Sequence, residues 1–416
     1  MRASAKLALL WLGLAAPAGL LGCPGHGLRG SGRGNGGSGA VDPVPEPPAR
    51  APGCPTCYRW RPLRIGAGGF VTGLDLSPDG ATRLVRTDTY GAYLWQSDQW
   101  RQLVTAESLP AEDVGVEKNA GVYEIRVAPS DPRRLYMAYR GRIYRSDDQG
   151  ARWARTTFAP VAMDANDDFR TFGEKLAVDP ANPDVVYAGT PRAGLFVSSD
   201  GGRAWQPVAA VPVGAKAGIT GLAFDPASGA GGGRTRTVYA SSYGQGVWRT
   251  TDAGASWVRL AGGPASVVHA AVASDGVYYA TSHDRIPNSI WRHAAGEWLA
   301  TTPDRGQFWH TVMTDPFDPA RVVAGTDSGY LSQSRDRATT WGEVLWTVAR
   351  QASDIPWLAW TSEKYMSNGH MRLDPSVPDQ VWFAQGIGVW TTPLPREARS
   401  VTWRSRSVGI EQLVAN

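Results

Sequence analysis

The chain has 416 residues, enough for one large or two ordinary domains, with 49 Gly, 30 Pro and 18 Trp but only 5 Lys. Its net charge of +4 is concentrated at the start: residues 1–64 carry +6 and the remainder −2. That distribution excludes an electrostatic grip on a phosphate backbone, so nucleic acid is not an expected partner and neutral partners are.

Residues 1–22 carry Arg2 and Lys6, then an apolar run from Leu7 to Leu21, and they read as a secretory signal peptide. The run is too short for a membrane span. Leu20-Leu21-Gly22-Cys23 is similar to a bacterial lipobox, which implies lipidation of Cys23. The protein is then expected to be exported and tied to the cell envelope (outer membrane or cell surface) by its lipid alone; an ordinary signal peptide and a secreted protein are the alternative. Residues 23–58 are rich in Gly, Pro, Ser and Arg, with almost nothing apolar to bury, and read as a disordered tether. Cys54 and Cys57 lie near its end. A redox motif needs a βαβ context and a zinc site needs two further ligands, so a local disulfide is expected.

From residue 66 to 416 the chain repeats itself. Ser146 to Trp153, Ser198 to Trp205 and Thr250 to Trp257 share the pattern Ser/Thr-x-Asp-x-Gly-x-x-Trp, and Ser334 to Trp341 is a worn copy with Ala338 in the glycine place. The Asp and the hydroxyl can bond turn amides, the Gly suits a positive φ, and the Trp buries a large ring as the next strand begins. The pattern resembles the Asp-box, or BNR, repeat of sialidases, xyloglucanases and related propellers, with Asp148, Asp200, Asp252 and Asp336 as the structural aspartates. The first three are 52 residues apart and the last gap is 84, which leaves room for a blade with a decayed box around Ile290–Trp298. Four short strands per repeat, counted over seven copies, predict an all-β, seven-bladed β-propeller. The copies are 73–104, 124–156, 175–208, 220–260, 268–301, 311–344 and 371–406.

In such a blade the Asp-box turns lie on one face and the long inter-blade loops on the other, where function is usually carried. The loops 105–123, 157–174, 302–310 and 345–370 bring the aromatics Phe169, Phe308, Trp309, Trp357, Trp360 and Tyr365, which suit stacking on sugar rings; Phe169, Trp309, Trp357, Trp360 and Tyr365, with Tyr90, are the binding candidates. Plugging a gap between blades is the competing role for any one of these aromatics.

The most suggestive carboxylate is Asp88. Gly69-Phe70-Val71-Thr72-Gly73, followed by Arg86-Thr87-Asp88 and Gly91-Ala92-Tyr93, resembles the opening of glycoside hydrolase family 74, the xyloglucanases and related β-1,4-glucan hydrolases. Segments 166–180 and 409–412 add to the resemblance, which covers about residues 69–416. It implies that Asp88 is the general base of an inverting hydrolysis; Thr89-Tyr90 depart from the family's usual aliphatic residue and Gly. The resemblance also implies a general acid on a second propeller, whose position falls beyond this chain. Asp167, Asp168, Glu174, Asp354 and Glu363 are local carboxylates that could replace it, Asp168 being the one carried forward, with a solvated turn as its competing role. Two functions follow: a xyloglucanase-type hydrolase completed by a second propeller, or a non-catalytic surface propeller that binds glycan or protein. A BNR-repeat assembly factor is disfavoured by the signal peptide. The six histidines show no metal-binding spacing, no cofactor motif is present, and no three arginines stand out as a sialidase triad.

Overall fold

The computed structural model describes residues 70–115, 120–284, 290–301, 303, 308–349, 368–386 and 388–410. The leader, the tether and Cys23, Cys54 and Cys57 lie outside them, as do Trp357, Trp360 and Tyr365.

The described chain is all-β, built as seven consecutive four-stranded antiparallel blades. Their strands span 71–102, 122–155, 176–207, 219–259, 267–301, 309–349 and 368–405. Blade one shows the construction: Val71–Leu76 pairs Arg83–Thr87, which pairs Ala92–Gln96, which pairs Gln99–Gln102. The inner strands are buried on both faces, and so read as near-continuous apolar runs. Outer strands such as Val258–Arg259 are short and exposed, which limits the edge open to other chains. Blades six and seven differ. The end of Gly342–Ala349 runs parallel to Ser400–Ser405, joining the two blades in one eight-stranded sheet.

Each Asp-box is the turn between strands three and four. In the second blade Ser146 Oγ donates to Asp148 Oδ1 (2.7 Å), which also accepts from Arg152 N–H (2.9 Å), while Gly150 N–H donates to the hydroxyl (2.8 Å). The same three bonds recur around Asp200, Asp252 and Asp336. The glycine place has φ of 75°, 89° and 92° in Gly150, Gly202 and Gly254, and Ala338 adopts 61° in the worn copy. Two box tryptophans bond back to the preceding blade, Trp153 Nε1 to Leu103 O and Trp341 Nε1 to Thr301 Oγ1, while Trp205 and Trp257 pack their rings against Phe158 and Tyr187. The box therefore pins each blade to its neighbour as well as closing a turn.

The ring closes between blades one and seven. Val71, Leu74 and Trp100 share a buried cluster with Trp382, Val389 and Ile410. Trp100 N–H donates to Val408 O (2.8 Å) and its Nε1 to Arg406 O (2.5 Å), so segment 406–410 lies along the last strand of blade one.

Candidate active site

Strand two of blade one ends in Arg86-Thr87, and Asp88 is the first residue past its end. Thr87 makes the turn: its Oγ1 donates to Gly91 O (3.0 Å) and accepts from Tyr90 N–H (2.9 Å). Asp88 N–H is held by Phe70 O (3.2 Å). The carboxylate is buried, with Thr89 Oγ1 donating to Oδ1 (3.0 Å) and Arg170 Nε 3.4 Å from Oδ2. Burial raises its pKa above the usual aspartate range, outweighing the opposing pull of Thr89 and Arg170. Gly121 has no alternative here, since a Cβ would stand 1.9 Å from Asp88 O. Tyr90 is half-buried next to the site, and its carbonyl accepts from Tyr93 OH (3.3 Å).

Arg170 comes from the loop between blades two and three, and that loop crosses the mouth of the ring. Its carbonyl accepts from Arg86 Nη1 (3.1 Å), and its guanidinium lies over the Phe70 ring (5.1 Å). One residue on, Thr171 O meets His310 Nε2 of blade six (3.2 Å). Phe172 packs against Tyr243 of blade four (5.7 Å), His283 at the end of blade five's second strand (5.3 Å) and His310 (6.0 Å). Lys175 ties the loop down from below: its buried Nζ donates to Phe169 O (3.0 Å) and to Arg170 O (3.4 Å). Burial and the neighbouring Arg86 lower this lysine to about 7.

The expected residues separate accordingly. Phe169 is half-buried and stacks on Phe172 and Tyr243, so it belongs to the crossing loop. Trp309 is not a sugar platform. At 2 % exposure it opens the first strand of blade six and packs in the core with Val312, Val322 and Ala324, because strand alternation turns it inward. Asp168 is exposed and bonds no side chain among the described residues. Asp167 is the more constrained neighbour, accepting Phe169 N–H (2.8 Å), with its pKa raised by burial. Asp354 and Glu363 lie outside the described residues.

Glu174 is part of something that histidine spacing could not reveal. It faces His269 Nε2 at 3.9 Å and His370 Nε2 at 3.7 Å, and the two nitrogens are 3.0 Å apart on the propeller axis. The histidines are 101 residues apart but hold the same register place, just past the bulge in the first strand of blades five and seven. Glu124 holds that place in blade two, where it binds Arg86 (2.9 Å). Comparing the blades position by position is the signal that would have found all three. Glu174, His269 and His370 have ligand types that suit zinc. Two features oppose a cation. Arg126 and Arg372 stand 3.6 and 3.8 Å from the same carboxylate. Each Nδ1 also faces a backbone N–H at 3.4 Å (Leu74 to His370, Val312 to His269), and the two Nε2 atoms already engage each other at 3.0 Å. The cluster reads instead as a neutral histidine pair sharing a carboxylate; burial lowers His269 to about 4 and His370 well below its usual value.

No family model matches the chain. Among curated proteins it is similar to a xyloglucanase of Paenibacillus sp, 26% identical over 422 residues, covering 85% of this chain and 40% of that protein. It is also similar to xyloglucanase Xgh74A of Acetivibrio thermocellus, 25% identical over 401 residues, covering 80% and 47%. The chain thus spans about half the length of the curated relatives it matches. Among solved structures, the GH74 xyloglucanase from Xanthomonas campestris superposes with a TM-score of 0.73 at 28% identity, covering 85% of this chain and 56% of that one. The GH74 enzyme of Niastella koreensis gives 0.70 at 22%, covering 84% and 55%, a likeness of fold. By sequence and fold together, the chain is similar to the propellers of glycoside hydrolase family 74 xyloglucanases and shares their all-β architecture.

Proposed function

We propose that this propeller is the base-bearing half of an inverting glycoside hydrolase acting on xyloglucan-type β-1,4-glucan, with Asp88 as the general base. The observation that carries the reading is the Asp88 station. It is a buried carboxylate at the mouth of the loop-bearing face, made more basic by burial and set by bonds to its own turn. Inverting hydrolysis needs a second carboxyl about 6.5–9.5 Å away, with room for one water. We assign that acid to a second propeller facing this mouth, as the family resemblance implies; among the described residues Asp168 bonds no side chain that would orient it. The protein would work outside the cell, exported and anchored through a lipid on Cys23.

An activated substrate tests the base without the acid. A dinitrophenyl leaving group departs without a proton, so a dinitrophenyl β-glucan oligosaccharide should be hydrolysed with inversion by the protein alone. Asp88→Ala should lower that rate by about 100-fold or more. An unchanged rate in the variant would remove Asp88 from the mechanism.

The Arg170 guanidinium against Asp88 Oδ2 favours a second reading, a non-catalytic glycan-binding propeller in which this carboxylate is a structural anchor. Binding of xyloglucan with no turnover of the activated substrate would support it.

A further inference from the structure

The seven blades place one residue each at the turn after strand two, on the loop-bearing face: Asp88, Arg140, Tyr243, His283, Asp327 and Gly386 directly past the strand, and Pro191 one residue further in blade three. Two of these are carboxylates, and their backbone settings are alike. Asp88 follows Thr87, and Asp327 follows Thr326. Thr87 N–H donates to Gly91 O and Thr326 N–H to Tyr330 O, both at 2.9 Å. Each threonine hydroxyl accepts a turn amide, from Tyr90 (2.9 Å) and Tyr330 (3.0 Å). Asp88 N–H meets Phe70 O, and Asp327 N–H meets Phe308 O, both at 3.2 Å. The turn itself belongs to the fold, since Thr190 of blade three makes it as well, but among these seven places only blades one and six follow it with a carboxylate.

The two carboxylates are finished differently. Asp88 is buried, whereas the Asp327 side chain is 55% exposed. His310 Nδ1 bonds Asp327 Oδ1 at 2.9 Å, and its Nε2 meets Thr171 O, so Asp327 is held by the same loop that supplies Arg170 to Asp88. Burial alone would raise Asp327, but the hydrogen bond and charge of His310 prevail and lower its pKa, keeping it ionised. Among the described residues nothing bonds Oδ2. Aromatic rings lead up to it: Phe172 to His283 at 5.3 Å, then His283 to Phe308 at 6.1 Å, with Tyr243 beside Phe172. Phe308 is 43% exposed next to the carboxylate.

We propose that Asp327, Phe308, His283 and Tyr243 form a second sugar-binding station on the face that carries Asp88, holding a β-glucan chain where it crosses blades four to six. This deepens, and rests on, the polysaccharide reading above. The chemistry suits a neutral polyol. His310 already bonds one carboxylate oxygen, so the open oxygen is an acceptor for hydroxyl donors, and the rings offer faces for sugar C–H groups. Arg170 and Thr171, adjacent in one loop, then span from the reacting station to the holding one.

The test is the affinity of the full chain for soluble xyloglucan, measured by calorimetry, for wild type, Phe308→Ala, Asp327→Asn and Val258→Ala. Val258 is a control on the exposed outer strand of blade four, beside an Asp-box. Phe308 is exposed, so its variant should fold whatever becomes of Asp327; Asn at 327 keeps an oxygen for His310. The expected result is a weakening of about tenfold for each of the two station variants, the size of a lost hydrogen bond to a charged group at Asp327 and of a lost aromatic contact at Phe308, and none for Val258→Ala. Wild-type binding with Phe308→Ala and Asp327→Asn within twofold of it would overturn the station and leave the proposed function standing. No binding of β-glucan by wild type would overturn both.

Discussion

Arg170 Nε stands 3.4 Å from Asp88 Oδ2, and Arg86, two residues before Asp88, donates to the Arg170 carbonyl at 3.1 Å. One stretch of blade one therefore holds Arg170 by both its side chain and its backbone. The consequence concerns proton affinity. Arg170 favours the ionised carboxylate and works against the burial that raises Asp88. In Arg170→Gln burial acts with less opposition, so the pKa should rise further. The acidic limb of the pH–rate profile for the activated substrate should then move towards neutral pH. A limb that stays in place would show that Arg170 does not tune this carboxylate.

Lys175 is the tie beneath the crossing loop. Lys175→Met keeps the length of the side chain and removes the donor to Phe169 O and Arg170 O. Two carbonyls then lose a partner, which should cost about 1–3 kcal/mol of stability in urea denaturation. Limited proteolysis should also cut within residues 157–174 sooner than in wild type. An unaltered cleavage pattern would count against the tie.

The axial histidines make stability depend on acidity. His269 goes from an ordinary value of 6.5 to about 4 on folding, and His370 also falls. The unfolded chain therefore binds more protons below 6.5. The stabilisation is fully present above that pH and is lost as pH falls through the window towards 4. Each histidine should contribute a slope of about 1.4 kcal/mol per pH unit there. Denaturation midpoints at pH 7, 6 and 5 should fall less steeply in His370→Gln than in wild type.

The Asp-boxes should matter to the fold and not to the chemistry. Asp200 Oδ1 accepts from Ser198 Oγ (2.9 Å) and Ala204 N–H (2.9 Å). Asp200→Ala should cost about 1–2 kcal/mol, as the loss of a side-chain cap does, with the rate on the activated substrate unchanged. A lost rate in a folded variant would contradict the separation of the two faces.

The repeats were legible because each box is local: Ser198, Asp200 and Gly202 meet within five residues, and their spacing is the mechanism. Asp88 was singled out by a resemblance carried in one contiguous segment, which folds as a turn with Thr87 and Gly91. What escaped is whatever the ring assembles from distant blades. His269 and His370 reach each other only because seven strands converge on an axis, and Asp327 shows its kinship with Asp88 only when the blades are set in register. Trp309 was misjudged for a related reason. It begins a strand instead of ending a loop, and one residue of register separates it from exposed Phe308.

The parallel join between Gly342–Ala349 and Ser400–Ser405 has a mechanical consequence. Blades six and seven form one plate, so they cannot tilt independently, and any widening of the mouth must be taken up at the other junctions. Asp327 is built on that plate, while Asp88 stands on blade one across the ring's closing seam. The spacing between these two carboxylates is therefore set at a single junction, the closing seam between blades seven and one.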